Sequence, residues 1–314
     1  MPSPGHPGRD GGRTARYCPA IRIYAAFLGC CLVWGSTFLA IRLGNESIAP
    51  VWGAAIRLVL AAVLLTAIAR VLRMPLPRGA ALRGAALYGF FNFGVNFSLL
   101  YLGEQAVPSG IAAVLFATVP LSTALLAAIL GVERLVIRKL VAALVAILGV
   151  AVIFAGELGA AVPLVGLLTV FSGATAAALS GVLLKQAPRQ PAIPANAIGA
   201  AVGAAVCLVV SFVLGEAHAV PATLGGWLPL LYLVVAGSLG AFVLFSWLIA
   251  RWPVTNASLI GVIVPIIAVT LGAIVKAEAP APLTYVGAAI VIAAVLVAIR
   301  APHRSPESAP ALAA

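Results

Sequence analysis

Charge is what this chain has least of. Asp, Glu, Lys and Arg make up 9% of its 314 residues, where an ordinary soluble domain carries about a quarter. Hydrophobic residues make up 63%, and the mean hydropathy is +1.16. A water-soluble fold has no way to hide so much apolar side chain. Runs of about 20 apolar residues, the length a helix needs to cross a hydrocarbon core of about 30 Å, recur from end to end. The fold class that follows is an all-α polytopic membrane protein.

Within those runs acids are missing. No Asp, Glu or His stands mid-span, which speaks against coupling through a proton-relay carboxylate at membrane depth. Nucleotide-binding and hydrolytic signatures are missing too: there is no P-loop, no H-E-x-x-H pair and no Ser/His/Asp set at depth. The sequence therefore argues against an enzyme and predicts neither a cofactor nor a metal. Cysteine is scarce as well. Cys30, Cys31 and Cys207 lie in apolar runs, where a free thiol behaves as a small hydrophobe, and Cys18 lies in a polar tail. Without CxxC or His-rich spacing they predict no disulfide framework. "MPSPGHPGRDGGRTAR" lacks a signal peptide's apolar core. Residues 1–20 read as a disordered cytoplasmic arm, and 301–314 as a similar tail.

What charge there is carries topology. Ten spans are predicted at 22–43, 51–72, 81–103, 107–130, 137–156, 163–184, 192–214, 227–249, 254–275 and 283–300. With both termini cytoplasmic, the inner segments collect sixteen of the 19 basic residues. These are Arg9, Arg13, Arg16 and Arg22, Arg70, Arg73, Arg78 and Arg83, Arg134, Arg138 and Lys139, and Lys185, Arg189, Arg251, Arg300 and Arg304. Glu46, Glu104, Glu157, Glu216 and Glu278 fall outside, with Lys276. This sorting follows the positive-inside rule. It assigns the net charge of +11 to cytoplasmic loops, and no nucleic-acid partner is predicted.

The spans fall into two related halves. Sliding Ala106 to Val152 onto Arg251 to Val297 without a gap pairs Pro108 with Pro253, Pro120 with Pro265, Glu133 with Glu278 and Ile147 with Ile292. A repeat of five spans is odd-numbered, so its copies, 21–156 and 157–300, cross the membrane in opposite senses. Inverted repeats are the sequence mark of carriers that work by alternating access, with a site near the midplane. The partners this predicts are the lipid bilayer and a small-molecule solute.

Few polar residues are left to line such a pathway. In "YGFFNFGVNFSLLYLG", Tyr88, Asn92 and Asn96 follow at i, i+4 and i+8 and share one helix face. They are read either as substrate contacts or as interhelical glue. Their repeat counterparts are Leu233, Gly237 and Ala241, and that asymmetry favours a one-sided substrate contact. Trp34 in "VWGSTFLAIR" is expected mid-span beside Gly35, Ser36 and Thr37, as part of a cavity ring or as core. Arg57, about six residues into the second span, would lie roughly 9 Å below the outer surface. It snorkels to the headgroups, pairs with Glu104 or Glu46, or meets an anionic group on the cargo. Pro120 and Pro265 each predict a kink by removing a helical hydrogen bond, as gates or cavity walls. Ser122, with Thr118 and Thr123, is placed to cover the freed carbonyl at the first kink and is a further pathway candidate. "GAAVG", Gly199 to Gly203, predicts close helix packing, either within one molecule or between two, so a homodimer is one of its readings.

With "AAIRLVLAAVLL", "AVPSGIAAVLFATVPLSTALLAAILGVERL" and "VTNASLIGVIVPIIAVTLGAIVKAEAPAPLTYVGAAIVIAAVL", these features resemble the EamA-type families of the drug/metabolite transporter superfamily. The likeness covers nearly all of the chain between the tails. It implies ten transmembrane helices in two inverted five-helix repeats around a central cavity. It implies a secondary transporter in the cell membrane, a bacterial inner membrane, moving an amino acid, a related compound or a drug-like solute, commonly outward. It marks Trp34, Gly35, Arg57, Pro120, Glu133, Pro265 and Glu278 as family positions. The second copy departs from the pattern, ending "KAEAP" with no Arg after the Glu, so the likeness implies no ion pair at Glu278. The alternative is a membrane protein with a non-transport role, as an intramembrane enzyme or a structural protein.

Overall fold

The computed structural model describes residues 19–107, 112, 115–134, 136–153, 164–276 and 282–299. Residues 1–18, the tail 301–314 and Glu278 lie outside these, while Pro19 and Ala20, read as the end of the arm, begin the first helix. An apolar medium leaves backbone polar groups no partner but the chain itself, which helices supply within one segment. The described residues accordingly form helices: α1 (Pro19–Asn45), α2 (Pro50–Val71), α3 (Gly79–Ala106), α4 (Val119–Ile129) and α5 (Ile137–Ile153). These are followed by α6 (Leu164–Gln186), α7 (Ala192–Val213), α8 (Leu224–Ile249), α9 (Ile260–Lys276) and α10 (Pro282–Ile299). A four-residue helical turn, Val254–Ala257, leads into α9. Helices α1, α2, α3, α6, α7 and α8 are long and apolar enough to cross a membrane. The others are apolar too, but shorter over their described residues. The molecule is a polytopic membrane protein.

The largest departure from the predicted spans is the fourth. A turn at residues 117–118 separates residues 115–116 from α4, and Thr118 bonds the Leu115 carbonyl through both its N–H (3.1 Å) and its hydroxyl (2.6 Å). Pro120 therefore stands in the first turn of α4. A proline there has no helical hydrogen bond to remove. The expected kink at Pro120 is corrected to a helix start, and the turn before it bends the chain. Pro265 does lie inside α9, as expected.

The packing has a twofold pattern. Helix α2 lies along α7 and α5 along α10; α1 packs on α8 and α9, and α6 on α3 and α4. Exchanging each helix with the one five places along reproduces this set. The pair α1–α8 becomes α6–α3, α1–α9 becomes α6–α4, and α2–α7 and α5–α10 map onto themselves. Two π-helical stretches obey the same exchange, Gly89–Val95 in α3 and Leu233–Ala241 in α8. Such stretches are rare and gather at functional positions.

Small residues set the closest approaches. A Cβ on Gly89 would stand 2.3 Å from the Gly199 carbonyl oxygen, and one on Gly203 would stand 2.3 Å from the Phe93 Cβ. The Gly199–Gly203 stripe thus packs within the molecule, between α3 and α7. Gly35 does the same for α1 and α9, where a Cβ would meet Ile267 at 2.5 Å. The helix ends sort the charges. A basic end gathers the helix ends and loops bearing Arg70, Arg83, Arg134, Lys185 and Arg251, with Glu133 among them, and the opposite, acidic end carries Glu46, Glu104 and Glu216, with Arg42 among them. Contacts such as Gln186 to the Leu130 carbonyl at one end, and Trp52 N–H to Glu216 at the other, fix which loops lie together.

Candidate functional site

Rings from three helices meet where α1, α3 and α8 converge. Trp34 lies against Phe242 and Phe245 of α8, with ring centroids 4.9 and 5.1 Å away. Phe242 also meets Phe93 at 4.6 Å and Phe97 at 5.9 Å, and Phe93 meets Tyr88 edge-on at 5.3 Å. The Trp34 indole N–H is buried without a hydrogen-bond partner. Tyr88, Asn92 and Asn96 stand beside this cluster, and each is 4% exposed or less.

The π stretch decides what the two asparagines do. At its end the Asn96 N–H bonds the carbonyl of Phe91, five residues back, instead of Asn92. The Asn92 carbonyl does not take the Asn96 backbone N–H, and the Asn96 side-chain amide donates to it at 3.1 Å. The Asn92 amide donates to the Tyr88 hydroxyl at 3.4 Å. In this conformation the stripe faces protein, and the Asn96 side-chain oxygen is buried with no partner.

Arg57 extends the same cluster through Phe97. Only 2% exposed, it donates from Nε to the Ser238 hydroxyl at 2.9 Å and from Nη1 to the Tyr101 hydroxyl at 3.0 Å. Its guanidinium carbon lies 4.7 Å from the centre of the Phe97 ring, a cation–π contact. Gly237 makes the room, since a Cβ there would stand 2.7 Å from Nη2. Two expectations are corrected here. Arg57 does not snorkel, because two hydroxyls and a ring face solvate it inside the protein. Nor does it pair with Glu104 or Glu46; among the described residues the one ion pair is Lys139 with Glu133. Glu104 and Glu46 instead line a cavity of about 520 Å³ with Arg42 at the acidic end.

Ser122 and Pro120 stand elsewhere, on α4, which packs against α5, α6 and α9. Ser122 is half-buried, and neighbouring Thr123 is buried with its hydroxyl unpartnered. Glu133 belongs to a third place, the basic end. Its carboxylate accepts from the Val254 N–H and the Thr255 hydroxyl, capping the helical turn Val254–Ala257 from the other half of the chain. A negative charge at a helix N-terminus meets unpaired N–H groups and the positive end of the dipole. Lys139 sits 3.8 Å from that carboxylate and donates to the Thr255 hydroxyl at 2.9 Å. Lys185 bonds the carbonyls of Ile249 and Trp252 at 2.7 and 3.0 Å, tying α6 to the end of α8.

Sequence reasoning missed Phe97, Tyr101, Ser238 and Thr255. Phe97 and Tyr101 continue the Tyr88-containing stretch and were within reach of a helical-wheel reading. Ser238 is hidden in "VVAGSLGA", where the repeat singles out only its neighbour Gly237, the counterpart of Asn92.

Residues 21–155 and 164–300 each match the model of the EamA-like transporter family. The inner membrane transporter YedA of Escherichia coli (strain K12) is 28% identical over 284 residues, covering 90% of this chain and 92% of that one. A "probable terminal-alkyne amino-acid exporter" of Streptantibioticus cattleyicolor is 30% identical over 269 residues, covering 84% of this chain and 89% of that one. A crystal structure 19% identical in sequence superposes with a TM-score of 0.73, over 88% of this chain and 96% of its own, a likeness of fold. The match falls once on each half of a helical chain built to cross a membrane. This protein belongs to the EamA-like transporter family.

Proposed function

We propose that the chain is a secondary carrier that exports a small carboxylate-bearing metabolite, an amino acid or a close relative, by alternating access. Ten spans, both termini cytoplasmic, form two inverted repeats that rock about the α1–α3–α8 junction. The exchange pattern of the helix pairs supports two equivalent halves, and the charge-sorted ends support a cytoplasmic basic end. The observation that carries the cargo class is Arg57. A buried guanidinium whose hydrogen bonds go to neutral hydroxyls leaves a positive charge for an anionic guest to balance. The relative named as an amino-acid exporter agrees with a carboxylate and with outward movement.

In this reading Trp34, Tyr88, Asn92 and Asn96 form the wall that opens toward the cargo in another state of the cycle, and Ser122 lines the α4 side. The turn before α4 and Pro265 in α9 let those helices bend, and Glu133 holds the basic end shut. A resistance screen tests the function. Cells overexpressing the protein should tolerate toxic amino-acid analogues and accumulate less of them. Purified protein in liposomes should exchange a labelled amino acid faster than empty liposomes. If no carboxylate-bearing solute moves in either assay while an uncharged one does, the cargo assignment fails. If nothing moves, the carrier reading fails.

A further inference from the structure

A second cavity, about 700 Å³, lies at the basic end between α1, the start of α7 and the end of α8. Much of its lining is apolar, including Ala25, Ala26, Val243 and Leu244, while Arg22, Arg251 and Gln190 are its polar residues. Among the described residues no acidic one lines it. Arg251 is held in place: its guanidinium carbon lies 4.4 Å from the centre of the Trp247 indole, and Nη1 donates to the Trp247 carbonyl at 3.2 Å. Gln190 is stranded. Both its side-chain nitrogen and its oxygen are buried with no hydrogen-bond partner. A covered amide left unbonded at both ends is costly, and turning it into the cavity toward a guest that offers an acceptor and a donor removes that cost.

The guest must be anionic at one end and apolar along the other. A free anion would have no use for the apolar lining, and an uncharged lipid none for two arginines. The cavity sits at the ends of membrane-crossing helices beside a tryptophan, the level of the headgroups. Basic pockets between helices at that level suit anionic headgroups. We propose that it binds one anionic phospholipid. The phosphodiester lies between Arg22 and Arg251, the glycerol and headgroup oxygens meet Gln190, and an acyl chain runs over Val243 and Leu244. The proposal does not depend on what solute the protein moves.

Native mass spectrometry of the full chain in detergent tests this with added phosphatidylglycerol or phosphatidylcholine of the same acyl chains. Phosphatidylglycerol should be retained in clear preference. An Arg22→Gln/Arg251→Gln double variant should lose about five-fold in phosphatidylglycerol affinity per arginine, roughly 25- to 30-fold in all, and the zwitterionic phosphatidylcholine should lose much less. Val243→Trp, which keeps both arginines and fills the apolar side, should lower phosphatidylglycerol occupancy too, and it decides the matter if the double variant does not fold. Equal retention of the two lipids by the wild type overturns the proposal. So does phosphatidylglycerol binding that survives the substitutions, or displacement by millimolar inorganic phosphate as readily as by more lipid.

Discussion

Arg57 reaches neither a headgroup nor a carboxylate, so two hydroxyls and the face of Phe97 hold its charge. Geometry matters as much as sign. A lysine is a point charge on a flexible stem and does not reproduce the planar fork that spans Ser238 and Tyr101. Arg57→Lys is therefore expected to cut transport of a carboxylate solute by tenfold or more, on the order of 1.4 kcal/mol or above. Arg57→Gln should abolish it. Because no acid among the described residues pairs with Arg57, the neutral variant strands no opposite charge, and its melting temperature should stay within a few degrees of wild type. Uptake into liposomes and a thermal-shift assay read the two effects separately. Wild-type transport by Arg57→Gln would make the residue purely structural. The sequence points to Arg57 because a cation inside an apolar run is conspicuous. Its partners are not, being ordinary hydroxyls 44 and 181 residues away along the chain.

At the scale of helices, the α3–α7 contact depends on bare backbone. A Cβ on Gly89 would fall 2.3 Å from the Gly199 oxygen and 2.4 Å from its Cα, and backbone on both sides has little room to yield. Gly89→Ala should force the helices apart and cost about 1–3 kcal/mol. It is read as a lowered melting temperature and, because the π stretch starts there, as slowed transport. Gly29→Ala is the control. Its Cβ would meet only Leu244 at 3.6 Å, an ordinary contact, and alanine is the better helix former by about 0.5–1 kcal/mol. Equal losses from both would mean that glycine matters for flexibility and not for the close approach. Periodicity and hydropathy place most helix ends to within a few residues, since those ends are written in Pro, Gly and charge. The turn at 117–118 and the two π stretches escape such reading. Both are changes of backbone register within mostly apolar runs whose few polar letters, Asn92, Thr118 and Ser238, do not announce them, and packing against other helices selects them.

For the whole molecule, the telling contacts are carboxylate caps that join the two halves, Glu216 on the start of α2 at the acidic end and Glu133 on the turn Val254–Ala257 at the basic end. The repeat makes Glu133 visible from sequence, but its partners, the Val254 N–H and Thr255 hydroxyl, belong to the other copy, and no local pattern announces them. If the halves rock, this cap exists in states closed at the basic end and breaks in states open there. Losing a charged N-cap costs a helix terminus about 0.5–2 kcal/mol. Glu133→Ala should therefore shift the population toward opening at the basic end by roughly two- to thirty-fold. The shift is measurable with Ser122→Cys as a reporter on α4, by its rate of reaction with a membrane-impermeant maleimide applied from each side. Labelling from the basic side should speed up by that factor, and labelling from the acidic side should slow. Glu133→Gln, which keeps an acceptor oxygen but not the charge, should fall between. A uniform change from both sides would indicate general loosening, and no change would reduce Glu133 to a local cap. A rise on one side with a fall on the other is the signature of two mutually exclusive openings, the property that defines alternating access.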